Sequence, residues 1–290
     1  MAPDPYRVEP PALVSFSGGR TSAFMLHEIL RAYGGELPPG VVVAFANTGK
    51  EREETLRFVH ECGTRWGVHV HWLEWRDGEI SFEEVGYNSA ARAGEPFQAL
   101  IESKQRLPNG AGQRWCSEYL KVRPMHDLMR SLGLGEPGAY LEAIGLRNDE
   151  GHRILKGFAR AEKDGRRICY PLANAKVSKR DVLAFWWGPD RRWETRQAVQ
   201  GFDLDLPPLW GNCDLCFVMG AEVRRRRIQA EPAVAGWWRG MEDRRGATFS
   251  MRESVADLER QAAQLADADE AQSDLFDEHD AECGLHCGTA

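Results

Sequence analysis

A short apolar run, Ala12-Leu13-Val14, leads into Ser15-Phe16-Ser17-Gly18-Gly19-Arg20-Thr21-Ser22, and the helix-like Ala23-Phe24-Met25-Leu26-His27-Glu28-Ile29-Leu30 follows at once. A strand, a glycine turn and a helix start in that order make an anion site. Gly18 and Gly19 admit backbone angles closed to other residues, so consecutive N–H groups can converge on phosphate oxygens. The positive end of the helix dipole adds to the attraction. Ser17, Thr21 and Ser22 supply hydroxyls and Arg20 a fixed charge. These residues predict a phosphate-type ligand at the turn.

The spacing is neither that of a Walker loop, which ends in Gly-Lys-Ser/Thr, nor that of the GxGxxG dinucleotide turn. Further strands are predicted from continuous apolar, β-branched runs of the buried parallel kind. Val41-Val42-Val43-Ala44-Phe45-Ala46 ends in Asn47-Thr48-Gly49, and a helical pattern begins at Glu53-Glu54-Thr55. Val68 to Leu73 reads as a third strand, and Tyr140 to Gly145 as a fourth that enters the loop Leu146-Arg147-Asn148-Asp149-Glu150. Strands separated by helices imply an α/β fold: a mostly parallel sheet with helices on both faces. Ligands of such sheets sit beyond the carboxyl ends of the strands, where the glycine loop, Thr48-Gly49 and Arg147 all fall.

Residues 77–112 show no clear period and read as an insertion or mobile loop. The character changes near residue 200, so we expect a nucleotide-binding domain over 1–200, a helical, cysteine-containing region over 201–260, and a flexible acidic tail over 261–290. From Gln261 onward there is no Lys or Arg, while acidic residues accumulate. The 290 residues are 42% apolar, enough for a substantial core, and the net charge of −7 argues against a globally basic nucleic-acid coat. No apolar run approaches the roughly 20 residues that span a bilayer. The N-terminus carries no signal-peptide pattern, so a cytoplasmic protein with no membrane partner is expected.

In that compartment the seven cysteines read as thiols, metal ligands or a redox site rather than a disulfide framework. Cys213-Asp214-Leu215-Cys216 lets two sulfurs reach one metal or cluster from a single turn. Cys116 stands in Arg114-Trp115-Cys116-Ser117, and Cys283-Gly284-Leu285-His286-Cys287 closes the chain. Cys62 and Cys169 read as buried apolar groups. His69 and His71 alternate on a strand and share a face, with no role assigned.

Together these segments resemble the phosphoadenosine phosphosulfate and adenosine phosphosulfate reductase family, within the larger PP-loop group of Rossmann-like adenine-nucleotide enzymes. Ser15 to Ser22 resembles the PP-loop, and Asn47-Thr48-Gly49 with Glu54-Thr55 resembles the family's second-strand signature. Cys116 to Pro124 with Leu120-Lys121 resembles the segment near the nucleotide. Ile144 to Arg147 with Asp149, Glu150 and Arg153 resembles the next loop, and Tyr170-Pro171-Leu172 with Ser178, Asp181 and Trp186 the segment after it. Glu282 to His286 has the form of the reductases' terminal catalytic motif.

The resemblance implies an adenine nucleotide (adenosine phosphosulfate, its 3′-phosphorylated form, or ATP) held by Ser15, Ser17, Gly18, Gly19, Arg20, Thr21, Ser22, Thr48, Gly49 and Arg153. It implies catalysis by Cys283, His286, Lys121 and Arg147, with the Cys283 thiolate attacking sulfur. Thioredoxin or a glutaredoxin-type reductant would then release sulfite by exchange. It implies a 4Fe–4S cluster on Cys116, Cys213 and Cys216, with Cys287 or Cys283 as fourth ligand or an open iron, and a homo-oligomer. Cluster-bearing reductases have adjacent cysteines where this chain has Trp115-Cys116. The loop form Ser-Gly-Gly-Arg-Thr-Ser is closer to phage and mobile-element PP-loop proteins.

Two rival functions stand beside the reductase. One is an ATP-consuming PP-loop enzyme that adenylates a substrate and then transfers sulfur to a nucleobase, nucleotide or DNA. The other is a non-catalytic, nucleic-acid-binding or redox-sensing protein, for which Arg224 to Arg227 with Trp237-Trp238 would form the face. Four arginines on a helix point all round, however, and the tryptophans are expected to pack against the main domain.

Overall fold

The computed structural model describes residues 3–109, 114–190, 192–207, 210–211 and 213–265. Six strands form one sheet: β1 (Ala12–Ser15), β2 (Val41–Asn47), β3 (Val70–Trp75), β4 (Phe82–Val85), β5 (Leu141–Ile144) and β6 (Arg167–Cys169), in the order β4-β3-β2-β1-β5-β6. Every neighbouring pair is parallel except β3–β4. The expected α/β architecture is therefore present, with one antiparallel edge.

Each parallel strand is apolar on both faces because both faces are covered. Val14, Val43, Phe45 and Trp72 pack into one core, while their chain neighbours Leu13, Val42, Ala44 and Leu73 pack into another. Successive side chains of a strand point to opposite faces, so an unbroken apolar run is what two covered faces require. The first face is covered by α1 (Arg20–Ala32), α2 (Glu53–Trp66) and, further along, α8 (Lys179–Trp187), through residues such as Met25, Phe58 and Trp186. Gly67 ends α2 in the left-handed conformation, at φ 63°, which a glycine adopts without a steric penalty.

The stretch expected as a mobile loop is ordered in part. It contains β4 and α3 (Glu95–Lys104), and α3 buries Phe97, Leu100 and Ile101. Its missing period is physical. β4 is a four-residue edge strand with charged residues at its centre, and α3 packs on a neighbouring segment rather than on the sheet's main core.

Next come α4 (Trp115–Ser117), a π-helical turn over Glu118–Val122, and α5 (Arg123–Ser131), which form one continuous helical stretch; α5 covers the second face with Met125, Leu128 and Met129. α6 (Gly151–Lys163) and the short α7 (Pro171–Asn174) flank β6. The last helices are α9 (Ala221–Ala230), α10 (Ala235–Arg245) and α11 (Val255–Ala262). Their core is shared with Trp75, Phe97, Leu100, Trp115 and Leu120 from the first half of the chain. Trp238 is 1% exposed, edge-on to Phe97 and Phe249, so the tryptophan pair does pack inward. Among the described residues no helix is long and apolar enough to cross a membrane. Residues 266–290, the greater part of the expected acidic tail with Cys283, His286 and Cys287, lie outside the described residues.

Candidate functional site

The chain leaves β1 through α1 toward β2, while β5 lies on the other side of β1. At such a switch of direction the loops beyond neighbouring strand ends diverge and leave a crevice. The glycine loop follows β1, and Leu146 to Glu150 follow β5. Gly18 has φ 80°, and a Cβ there would come within 2.8 Å of Thr55 Cγ2 and 3.0 Å of Val59 Cγ2, so the turn has room only for glycine. Gly19 begins α1 with no side chain capping the helix, and a Cβ there would meet only Ser17 Oγ, at 3.8 Å. One glycine is needed by the fold; the other keeps the helix terminus open to an anion.

The hydroxyls brace this turn. Ser22 Oγ donates to Gly19 O at 3.0 Å, accepts from Ser17 N at 3.2 Å, and lies 2.9 Å from Ser17 Oγ. Ser15 Oγ ends β1 in the core, 3.9 Å from Met125 Sδ. Arg147 Nη1 donates to Thr21 Oγ1 at 3.1 Å, tying the β5 loop to the first turn of α1, while its Nε bonds Asp149 at 3.0 Å. Arg153 pairs with Glu150 in the same loop. Arg20 also reaches the later chain. Its buried guanidinium is held by Asp203 at 2.7 and 2.6 Å and stacks on Trp187, so its charge anchors the turn to the later chain.

The loop after β2 carries the second half of the site. Thr48 donates from both N and Oγ1 to Glu51 Oε2, at 2.7 and 2.8 Å. Gly49, at φ 76°, lets the chain pass so close to Gly94 that a Cβ would sit 3.0 Å from its Cα. The C-x-x-C turn is added directly to this loop. Glu51 bridges Cys213 in antiparallel fashion, Asp214 N donates to Lys50 O at 2.7 Å, and Lys50 Nζ meets Asp214 Oδ2 at 2.8 Å. Thr48 Oγ1 lies 3.5 Å from Cys213 Sγ. From behind, the fully buried Arg227 donates to the carbonyls of Gly211, Cys213 and Asp214 at 2.9–3.2 Å.

Cys116, on α4, packs against the same apolar cluster as Cys213 and Cys216. Lys121, in the π-helical turn two positions beyond Tyr119, brings Nζ to 3.6 Å from Glu51 Oε1. Burial pushes the Cys213 thiol well above its usual range; Glu51 adds to the rise and Lys121 opposes it. The arrangement suits a thiolate-bound cluster. Cys213 and Cys216 share one turn and Cys116 packs against their apolar cluster, the cations Lys121 and Arg227 stand close by, and the buried Trp115 Nε1 and Glu51 Oε1 have no hydrogen-bond partner.

The structure thus brings Thr48, Gly49, Lys121 and Cys213 together at the carboxyl end of β2, with Cys216 in the same turn as Cys213 and Cys116 packed on their cluster, and Thr21 and Arg147 to the adjoining crevice. Sequence reasoning missed Lys50, Glu51, Asp203, Asp214 and Arg227. A signal existed for Lys50 and Glu51, which follow Thr48-Gly49 at a strand end; Arg227 carried none, since its partners are backbone carbonyls.

No family model matches the chain. It is 30% identical over 215 residues to an uncharacterized nin region protein, ORF290, of Escherichia phage lambda, a match that covers 70% of this chain and 64% of that relative's length. It is 31% identical over 120 residues to an uncharacterized protein of Methanocaldococcus jannaschii, over 41% of this chain and 20% of that protein. The chain therefore spans less than two thirds of the relatives it matches. Among solved structures, a U34-tRNA thiolase from Methanococcus maripaludis with its 4Fe–4S cluster aligns with 97% of this chain and 82% of its own, at 11% identity and a TM-score of 0.31. A likeness that slight carries no argument about this chain.

Proposed function

We propose that this chain is a PP-loop enzyme that binds ATP at the β1–β5 crevice, adenylates a nucleobase- or nucleotide-type substrate and replaces the activated oxygen with sulfur. The observation that supports this most is the pairing of Lys50 and Glu51 with Asp214 and Cys213. It sets the C-x-x-C at the end of β2, beside the strand that carries the glycine loop.

Cys116, Cys213 and Cys216 would hold a 4Fe–4S cluster, which with three protein ligands supplies one coordination position for incoming sulfide. Trp115 stands where a second adjacent cysteine would take that position. The rest falls to side chains and backbone. The N–H groups at Gly19 and the first turn of α1 receive phosphate oxygens. Arg147, fixed by Thr21 and Asp149, is placed to neutralise the charge that develops on the phosphates. The substrate oxygen attacks the α-phosphorus and pyrophosphate leaves; sulfide then attacks the carbon that bears the adenylated oxygen, the C–O bond breaks and AMP departs with that oxygen. Lys121 offers a positive charge beside the thiols.

Sulfonucleotide reduction is the second reading, favoured by Glu282-Cys283-Gly284-Leu285-His286. One experiment separates the two. Anaerobically purified chain is assayed for iron, then given either ATP, sulfide and a mixture of nucleic acids and nucleosides, or adenosine phosphosulfate and thioredoxin. About four irons per chain with pyrophosphate release is expected. Sulfite release that Cys283→Ser abolishes would replace this proposal with the reductase.

A further inference from the structure

We propose that His69, His71 and Glu84 form a second metal site, for a borderline divalent ion such as Zn2+ or Ni2+, on the outer part of the sheet. The strand geometry creates it. His69 immediately precedes β3 and His71 is its second residue, so with Leu73 they point to one face. Glu84 of the antiparallel β4 stands opposite Leu73, which puts its carboxylate on that face.

The ligand atoms of the three residues all lie within 4.8 Å of one another. Glu84 Oε1 is 2.8 Å from His71 Nδ1 and 3.5 Å from His69 Nε2. A tetrahedral ion with N and O ligands at 2.0–2.1 Å spaces them about 3.3 Å apart, so both contacts need shifts of only a few tenths of an ångström. The rings meet edge-on, with centroids 4.3 Å apart and planes at 85°, which leaves both nitrogens facing the carboxylate. Two imidazoles and a carboxylate suit zinc, nickel or copper rather than magnesium or calcium.

His69 is 72% exposed, so an ion has open access and water can complete the shell. The site sits toward the start of β3, whereas the crevice lies beyond the carboxyl ends of the parallel strands. Its role is therefore a staple that holds the four-residue edge strand β4 to β3.

The test is a Ni2+ titration of the untagged full chain by calorimetry, beside the double variant His69→Gln/His71→Gln. Nickel is chosen because imidazole suits it, and the thiols, unchanged in both proteins, contribute equally. The native chain is expected to bind one more equivalent than the double variant, with that event weakened about tenfold or more by Glu84→Gln. Saturating Ni2+ should raise the Tm of the native chain and not that of the double variant. Equal stoichiometry and affinity in the two proteins would overturn the site. The Glu84→Gln variant gives the same reading should the double variant fail to fold.

Discussion

Arg20 and Asp203, 183 residues apart, meet in a buried bidentate ion pair at 2.7 and 2.6 Å, with Trp187 Nε1 donating to the same carboxylate at 3.2 Å. The glycine turn is thereby locked to the chain beyond residue 200. Burial alone would raise the Asp203 carboxyl; the hydrogen bonds and charge of Arg20 win and hold it below its ordinary 3.8.

Removing Arg20 strips the buried Asp203 carboxylate of its bidentate partner and leaves it Trp187 and the more distant Arg196, at 3.5 Å. Arg20→Met is expected to cost about 3–5 kcal/mol in urea unfolding. The joint change Arg20→Met/Asp203→Leu should recover a good part of that loss, because no orphaned charge remains. A double variant no more stable than Arg20→Met would show that the pair is not what holds the turn.

Glu142 sets an acid limit. Burial opposes its ionisation, yet Arg166 and His126 pull its carboxyl down from 4.5 to about 2. A depressed folded-state value stabilises the fold above the unfolded value, and that stability is lost as pH falls through the folded one. Between pH 4.5 and 2 the native chain should lose on the order of 3 kcal/mol through this group. Urea midpoints followed against pH for the native chain and Glu142→Gln check it: the variant, weaker at pH 7, should show a shallower acid slope. Parallel slopes would refute the assignment.

The two glycines of the turn separate folding from binding. Gly18→Ala forces a Cβ to 2.8 Å from Thr55 and a left-handed φ on alanine, so a lowered Tm of the apo chain is expected. Gly19→Ala meets no obstacle, and its Tm should stay close to native. Its methyl group instead crowds the mouth of α1, and ATP affinity by calorimetry should fall about tenfold or more. Unchanged affinity in Gly19→Ala would move the phosphate elsewhere.

Arg227 tests how the thiols are positioned. Arg227→Met removes a buried donor from the carbonyls of Gly211, Cys213 and Asp214, at about 1–3 kcal/mol for each one left unsatisfied; Cys213 O keeps Cys216 N at 3.4 Å. Iron content after anaerobic purification should drop with it, as it should in Cys213→Ser. Arg227→Lys, which keeps the charge but not the fork, should hold an intermediate amount. Native iron content in Arg227→Met would separate this residue from the cluster.

Much was legible along the chain because it is local. Val41 to Asn47 had to be a doubly covered strand, since an apolar, β-branched run fits little else. The glycine turn between strand and helix declared itself by residue type. β4 and α3 escaped notice because one is a short charged edge and the other packs on a satellite core, so neither bears a strong period. The four arginines on α9 illustrate the opposite limit. Arg224 and Arg227 are buried, paired with Glu253 and with the C-x-x-C carbonyls, while Arg226 pairs with Glu222 on its own helix. A run of identical residues carries no mark of which one faces inward.

The sequence by itself determined the first βα units, the mostly parallel character of the sheet and the glycine turn, because backbone sterics and hydrophobic period act between near neighbours. Only the tertiary structure decided that Arg20 pairs with Asp203, and that Cys213 is built onto the loop at Glu51. Buried charges and thiols take their meaning from whatever partner the fold brings within hydrogen-bond reach. For Arg20 and Cys213 those partners lie more than a hundred residues away.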